Sequence, residues 1–258
     1  MTGALDSLFA LAGAQITVAA MVFLRIGAVM ALMPAFGERV VPMRLRLILG
    51  FAFTAVVAPA VFHLLPPPPD TVTGLIYLLL AETANGLALG MVIRLFILAI
   101  ETAGGIAAQS GSLSQMFGAA GEPMPAISHL LIISCLCLAL MAGLHIRLAQ
   151  ALILSYEAMP AGQFPAAGLM RDWGVSHIAT TFALAFSLAA PFVIAALVYN
   201  VALGAINRAM PSLMVSLVGA PALTAGALAL LAICAPLMLG LWLDRFNGFL
   251  TDPFLVAR

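Results

Sequence analysis

The sequence predicts an all-α, polytopic membrane protein built from about six long apolar helices. Three observations carry that prediction. Of the 258 residues, 64% are hydrophobic and only 8% charged, against about 45–50% and about 25% in soluble domains. Apolar runs long enough for a spanning helix, about 20 residues, recur along the whole chain. No segment sustains the period-2 alternation of a transmembrane barrel strand. Ten arginines and ten acids cannot cover the polar exterior that a water-soluble fold of this length needs. The helices therefore face lipid, other apolar protein, or both.

The first expected helix runs from about Leu8 to Met33 and contains Arg25. The stretch Met1 to Ser7 holds Asp6 and no basic residue, unlike the positive start of a cleavable signal, so this helix is expected to be retained. The second runs from about Leu45 to Leu65 and stops at Pro66-Pro67-Pro68-Pro69, which lack the amide donors a helix needs. The third runs from Val72 to about Ile100, longer than a bilayer requires. The fourth is expected as one helix from about Ile127 to Tyr156, the fifth from about Ile178 to Ile206, and the sixth from about Leu213 to Leu243. Arg39, Arg44 and Arg46 make the loop after the first helix the densest basic cluster, which the positive-inside rule places in the cytoplasm.

Several function classes find no support. Net charge is zero and there is no lysine, so the electrostatic footprint of a nucleic-acid binder is missing. Cys135, Cys137 and Cys234 lie inside apolar runs without metal-ligand spacing and read as small core residues. His63, His129, His145 and His177 are scattered. No nucleophile elbow, phosphate loop or dinucleotide motif is present. No catalytic residue, cofactor or metal is expected.

The informative positions are polar residues where lipid would penalise them: Arg25, Glu82, Arg94, Arg147 and Arg208. A charge at the bilayer centre costs at least about 2.5–3.5 kcal/mol and so faces protein or water. These residues fit either an ion or proton relay or a set of inter-helix ion pairs. The lack of clustered carboxylates or a histidine chain favours the pairs. Glu82, Gly86 and Gly90 share one helical face, and the two glycines let another helix approach closely. Asn200, Gly204 and Arg208 share a face of the fifth helix, with Asn207 beside it; that face suits a transported substrate or a tightly packed partner helix. The segment Glu101 to Pro125, ETAGGIAAQSGSLSQMFGAAGEPMP, is rich in Gly and Ser and has no basic residue, and it is expected to interrupt the helices. Non-helical backbone at membrane depth survives only inside protein or beside a water-filled cavity. The segment thus reads either as a pore loop, with Met116 and Phe117 as an apolar seal, or as an extramembrane loop.

Three stretches resemble the FliR family of flagellar biosynthesis proteins. They are RIGAVMALMPAFGERVVPMRLRLILG (Arg25 to Gly50), the run from Glu82 through GLALGMVIRLFILAIETAGGIAAQSG, and NRAMPSLMVSLVGAP (Asn207 to Pro221). The resemblance implies a non-enzymatic pore subunit of the flagellar type III protein-export gate, in the bacterial inner membrane at the flagellar basal body, needed for export and flagellum assembly. It implies one membrane domain over 1–258, with a FliP-like portion over about 1–175 and a FliQ-like hairpin over about 176–258. Several helices would then be bent hairpins packed in a helical assembly. The implied partners are FliP-like, FliQ-like and FlhB-like membrane subunits, unfolded export substrates and lipid. The resemblance also puts a pore plug within about Gln109 to Pro123, including Gln109, Ser110, Gly111, Ser114, Met116 and Phe117. Met214 stands where the family usually has a polar residue, and Ser216 where it often has an aromatic one. An equivalent subunit of a virulence secretion system shares this architecture and is the alternative. A stand-alone secondary transporter or channel would favour matched broken-helix repeats, which the two halves lack.

Overall fold

A computed structural model describes residues 2–34, 41–67, 69, 71–110, 126–210 and 215–254, without the side chains of 2–16 and 215–221. It is all-α, with no strand among the described residues. The described helices are α1 (Thr2–Leu32), α2 (Met43–Val61, continued by a 3-10 turn at Phe62–Leu64), α3 (Val72–Ser110), α4 (Ala126–Met141), α5 (Leu144–Ala158), α6 (Ala167–Ala209) and α7 (Val215–Thr251). Among the described residues, α2, α3, α6 and α7 are long and apolar enough to cross a membrane. Counting α4 and α5 as one broken span gives five, so the expectation of about six is too high.

The fourth expected helix is not continuous. The chain bends by 78° between α4 and α5, where Gly143 adopts φ +82°. That left-handed conformation strains any residue with a Cβ and ends a helix cleanly. The Gly143 carbonyl then accepts from the amides of Ile146 (3.0 Å) and Arg147 (3.2 Å), opening α5. Hydropathy runs straight through this point because Met141, Ala142 and Leu144 are all apolar.

The third helix continues ten residues past Ile100, so Glu101 to Ser110 is helix and not the expected interruption. Its glycines serve contact. A Cβ on Gly104 would lie 2.6 Å from Ser128 Cα on α4, so the glycine lets α4 come that close. Thr102 Oγ1 donates within the helix to the Leu98 carbonyl (2.7 Å) and Ser110 Oγ to that of Ile106 (2.8 Å), while Ser128 Oγ on α4 donates across to the Glu101 carbonyl (3.1 Å). The remaining residues, 111–125, lie outside the described part of the chain. Likewise α6 starts at Ala167, before the expected Ile178, and α7 continues to Thr251 beyond Leu243. Apolarity marks only the middle of these helices, and good helix formers such as Leu, Ala and Arg carry them further. Arg44 and Arg46 sit in the first turn of α2, not in the loop before it.

The chain divides into two compact units. The first comprises 1–95, 142–178 and 247–258. Here α2 packs against α1 and α5, with Phe23 stacked on Phe51 at 4.6 Å and Gly50 beneath the Phe23 ring. Trp173 Nε1 donates to the Pro253 carbonyl at 2.9 Å, and His177 lies edge-on to both Trp173 and Phe249. The second unit comprises 96–141 and 179–246. Its anchor is Trp242, fully buried, stacked on Phe246 at 4.9 Å and donating to the Phe96 carbonyl at 2.7 Å.

Gly104 and Gly105 allow a paired test of the α3–α4 contact. A Cβ on Gly105 would meet only Ser128 Oγ, at 3.9 Å. Gly104→Val is expected to lower the thermal midpoint of the detergent-solubilised chain by several degrees, through overpacking of about 1–3 kcal/mol. Gly105→Ala should leave it unchanged.

Candidate functional site

The best-organised polar group lies where α3 crosses α1 in the first unit. Gly86 and Gly90 bring the two helices to backbone contact. A Cβ on Gly86 would strike the Arg25 carbonyl oxygen and lie 2.8 Å from Ala28 Cβ; one on Gly90 would lie 3.1 Å from Val29 Cα. Such closeness shuts out solvent, and Arg25 and Glu82 are both 0% exposed.

All five Arg25 N–H donors are placed. Nε donates to Glu82 Oε2 at 2.8 Å and Nη2 to Oε1 at 3.1 Å, a side-on pair. Nη2 also reaches the Met159 carbonyl at 3.0 Å. Nη1 donates to the Ser155 carbonyl (3.1 Å) and to Ser155 Oγ (3.2 Å). The guanidinium carbon sits 3.7 Å from the centre of the Tyr156 ring, a stabilising cation–π arrangement. Glu82 Oε1 accepts a further bond from the Gly162 amide at 2.8 Å. One turn along α3, Asn85 Nδ2 donates to the Gln163 carbonyl at 3.1 Å. Asn85 is itself 0% exposed, and its Oδ1 has no hydrogen-bond partner among the described residues. The charges cancel and both carboxylate oxygens are engaged, so the arrangement is suited to holding helices and backbone in register. Net stabilisation by such a pair is small, but removing one partner is costly.

The other polar positions singled out by sequence lie elsewhere. Arg94 on α3 and Arg147 on α5 are half-buried, and their side chains make no hydrogen bond or ion pair with a described residue. Asn200, Gly204, Asn207 and Arg208 on α6 are all exposed, and nothing lies within 4 Å of a Cβ built on Gly204. Gln109 is exposed and Ser110 half-buried at the end of α3, both in helix where a loop was expected. Ser110 lines a cavity of about 260 Å³ in the second unit with Ala107, Phe192, Tyr199 and Gly226. Gly111, Ser114, Met116 and Phe117 fall outside the described residues. Among the described residues no cluster of His, Cys, Asp or Glu could hold a metal.

Sequence inspection passed over Asn85, Ser155, Tyr156 and Gly162. Asn85 carries a legible signal, a second polar residue one helical turn from Glu82 in an apolar run. Ser155 and Tyr156 carry none, because their partner Arg25 is 130 or more positions away, and Gly162 carries none, because it meets Glu82, 80 positions away, through its backbone amide.

The family described as bacterial export proteins, family 1, matches residues 16–249. The chain belongs to this family. The family match takes in both halves of the buried pair and every described helix from α2 to α6. Several similar proteins carry the name flagellar biosynthetic protein FliR. That of Caulobacter vibrioides is 32% identical over 241 residues, covering 92% of this chain and 95% of the relative. That of Bacillus subtilis is 31% identical over 222 residues, covering 83% and 84%. That of Escherichia coli is 30% identical over 225 residues, covering 83% of each.

In this export-family chain, Glu82→Ala would strand the Arg25 cation in the core. The expected cost is about 3–5 kcal/mol, seen as a sharp drop in the amount of chain that accumulates in membranes. Arg94→Ala, at a half-buried position without a described partner, should change that amount little.

Proposed function

We propose that the chain is a structural pore subunit of the flagellar type III protein-export gate, needed to export flagellar proteins and so to build the flagellum. The observation that carries this is the match of family and FliR-named relatives over more than four-fifths of the chain. Membership makes the chain a flagellar type III export-apparatus component and a membrane protein working with other export components. Its apolar helices agree with that setting.

The finer assignment is ours. The subunit sits in the bacterial inner membrane at the flagellar basal body and joins FliP-like, FliQ-like and FlhB-like subunits around a path for unfolded substrates. Residues 1–175 act as a FliP-like portion and 176–258 as a FliQ-like hairpin. The segment from Gln109 to Pro123 plugs the pore, and the chain has no enzymatic step of its own. Physical support comes from the surfaces. Ile194, Leu197, Val198 and Val201 on α6 are each more than 60% exposed, as are Ile233 and Leu237 on α7. A surface of that kind needs lipid or other protein against it. The buried charges also fit a structural role, since Arg25 and Glu82 are consumed by fixed bonds.

A clean deletion should abolish motility and flagellar filaments while small-solute uptake stays normal; motile deletion cells would overturn the proposal. Removing residues Gln109 to Gly121 should raise ion conductance across membranes that hold the assembled gate. Unchanged conductance would rule out the plug.

A further inference from the structure

We propose that Arg25, Glu82 and Asn85 form a latch that positions the connector between α5 and α6, residues 159–166, and that ordering this connector is their contribution to the chain's work. Beyond the ion pair itself, every hydrogen bond of the group goes to the connector or to the last turn of α5 before it: the Ser155 hydroxyl and carbonyl, the Met159 carbonyl, the Gly162 amide and the Gln163 carbonyl. The connector's own backbone supplies little: within it the Gln163 amide donates to the Pro160 carbonyl at 3.4 Å. Pro160 and Pro165 have no amide donor, and Gly162 at φ +70° lies outside helical geometry. Backbone groups left unpaired in an apolar setting are costly. Arg25 donates to the Met159 carbonyl, Glu82 accepts from the Gly162 amide, and Asn85 donates to the Gln163 carbonyl. Three backbone groups of an irregular segment are thus met by α1 and one turn of α3.

Apolar burial secures part of the segment, since Met159 and Ala161 are buried. Its Phe164 end is held less: Phe164 meets Tyr77 edge-on at 5.1 Å, but the two rings are 45% and 52% exposed. Apolar burial is not directional, so the polar bonds are the part that selects one path. The same logic explains why a fully desolvated pair sits here. Such pairs add little net stability over apolar residues of similar volume, and Asn85 has a buried oxygen without a partner among the described residues, at further cost. What they supply is a single geometry for the chain entering α6.

The test uses full-length chain in its native membranes, with Tyr77→Cys and Phe164→Cys joined by a short bifunctional thiol reagent. Single-cysteine controls correct for Cys135, Cys137 and Cys234. Three backgrounds are compared: the parent, Arg25→Met with Glu82→Leu, and Asn85→Leu. If the pair acts as a latch, the double variant accumulates within about twofold of the parent, since a matched apolar pair preserves stability, while cross-linking falls severalfold. Asn85→Leu, which keeps the ion pair, should give a smaller but clear loss. Cross-linking at parental yield in an accumulating double variant would overturn the proposal. If the double variant fails to accumulate, parental cross-linking in Asn85→Leu overturns it instead. Motility is scored in the same cells and is expected to fall with cross-linking; motility lost while the connector stays docked would also overturn it. Only this last arm rests on the export reading, whose own failure appears separately as a motile deletion strain.

Discussion

A guanidinium cut off from solvent must place five N–H groups inside the protein, and it must do so beside a negative charge. That demand organises the first unit. It requires a carboxylate at side-on distance, which α3 supplies at Glu82, and it requires carbonyls, which the end of α5 supplies at Ser155 and Met159. None of these partners can approach unless α1 and α3 are in backbone contact, so the glycines at 86 and 90 belong to the same constraint as the charges. A bulkier residue at either glycine would separate the helices and let the pair come apart. Sterics and electrostatics cannot be assigned separately here.

The second unit uses a neutral version of this device. Trp242 is large, fully buried and polar at one atom, and that atom donates to the Phe96 carbonyl in the middle of α3. A tryptophan buried this deeply needs a partner for its indole N–H. The helical carbonyl can serve because its second lone pair is free. Gly104 against Ser128 then repeats the small-residue approach seen at Gly86.

Fold class was legible because it rests on composition, which is insensitive to topology: too few charges to face water, and apolar runs of spanning length. Helix ends were less legible. The run from Ile127 to Tyr156 is predominantly apolar on both sides of Gly143, yet Gly143 breaks it, since backbone sign is invisible to hydropathy. The glycines at 104 and 105 misled in the opposite direction, because the same residue type marks both flexible loops and tight helix contacts. At the site, Arg25 and Glu82 stood out as charges in apolar runs, and Gly86 and Gly90 as a spaced pair. The Ser155, Met159 and Gly162 backbone groups could not, since a carbonyl or amide leaves no trace in a sequence. Asn200, Gly204, Asn207 and Arg208 were legible as a face, and the described residues leave that face uncovered.

That uncovered face has a consequence for what can surround the helix. Asn200, Asn207 and Arg208 along an otherwise apolar helix are poorly tolerated by lipid, so wherever this stretch lies at membrane depth it calls for protein or water against it and not acyl chains.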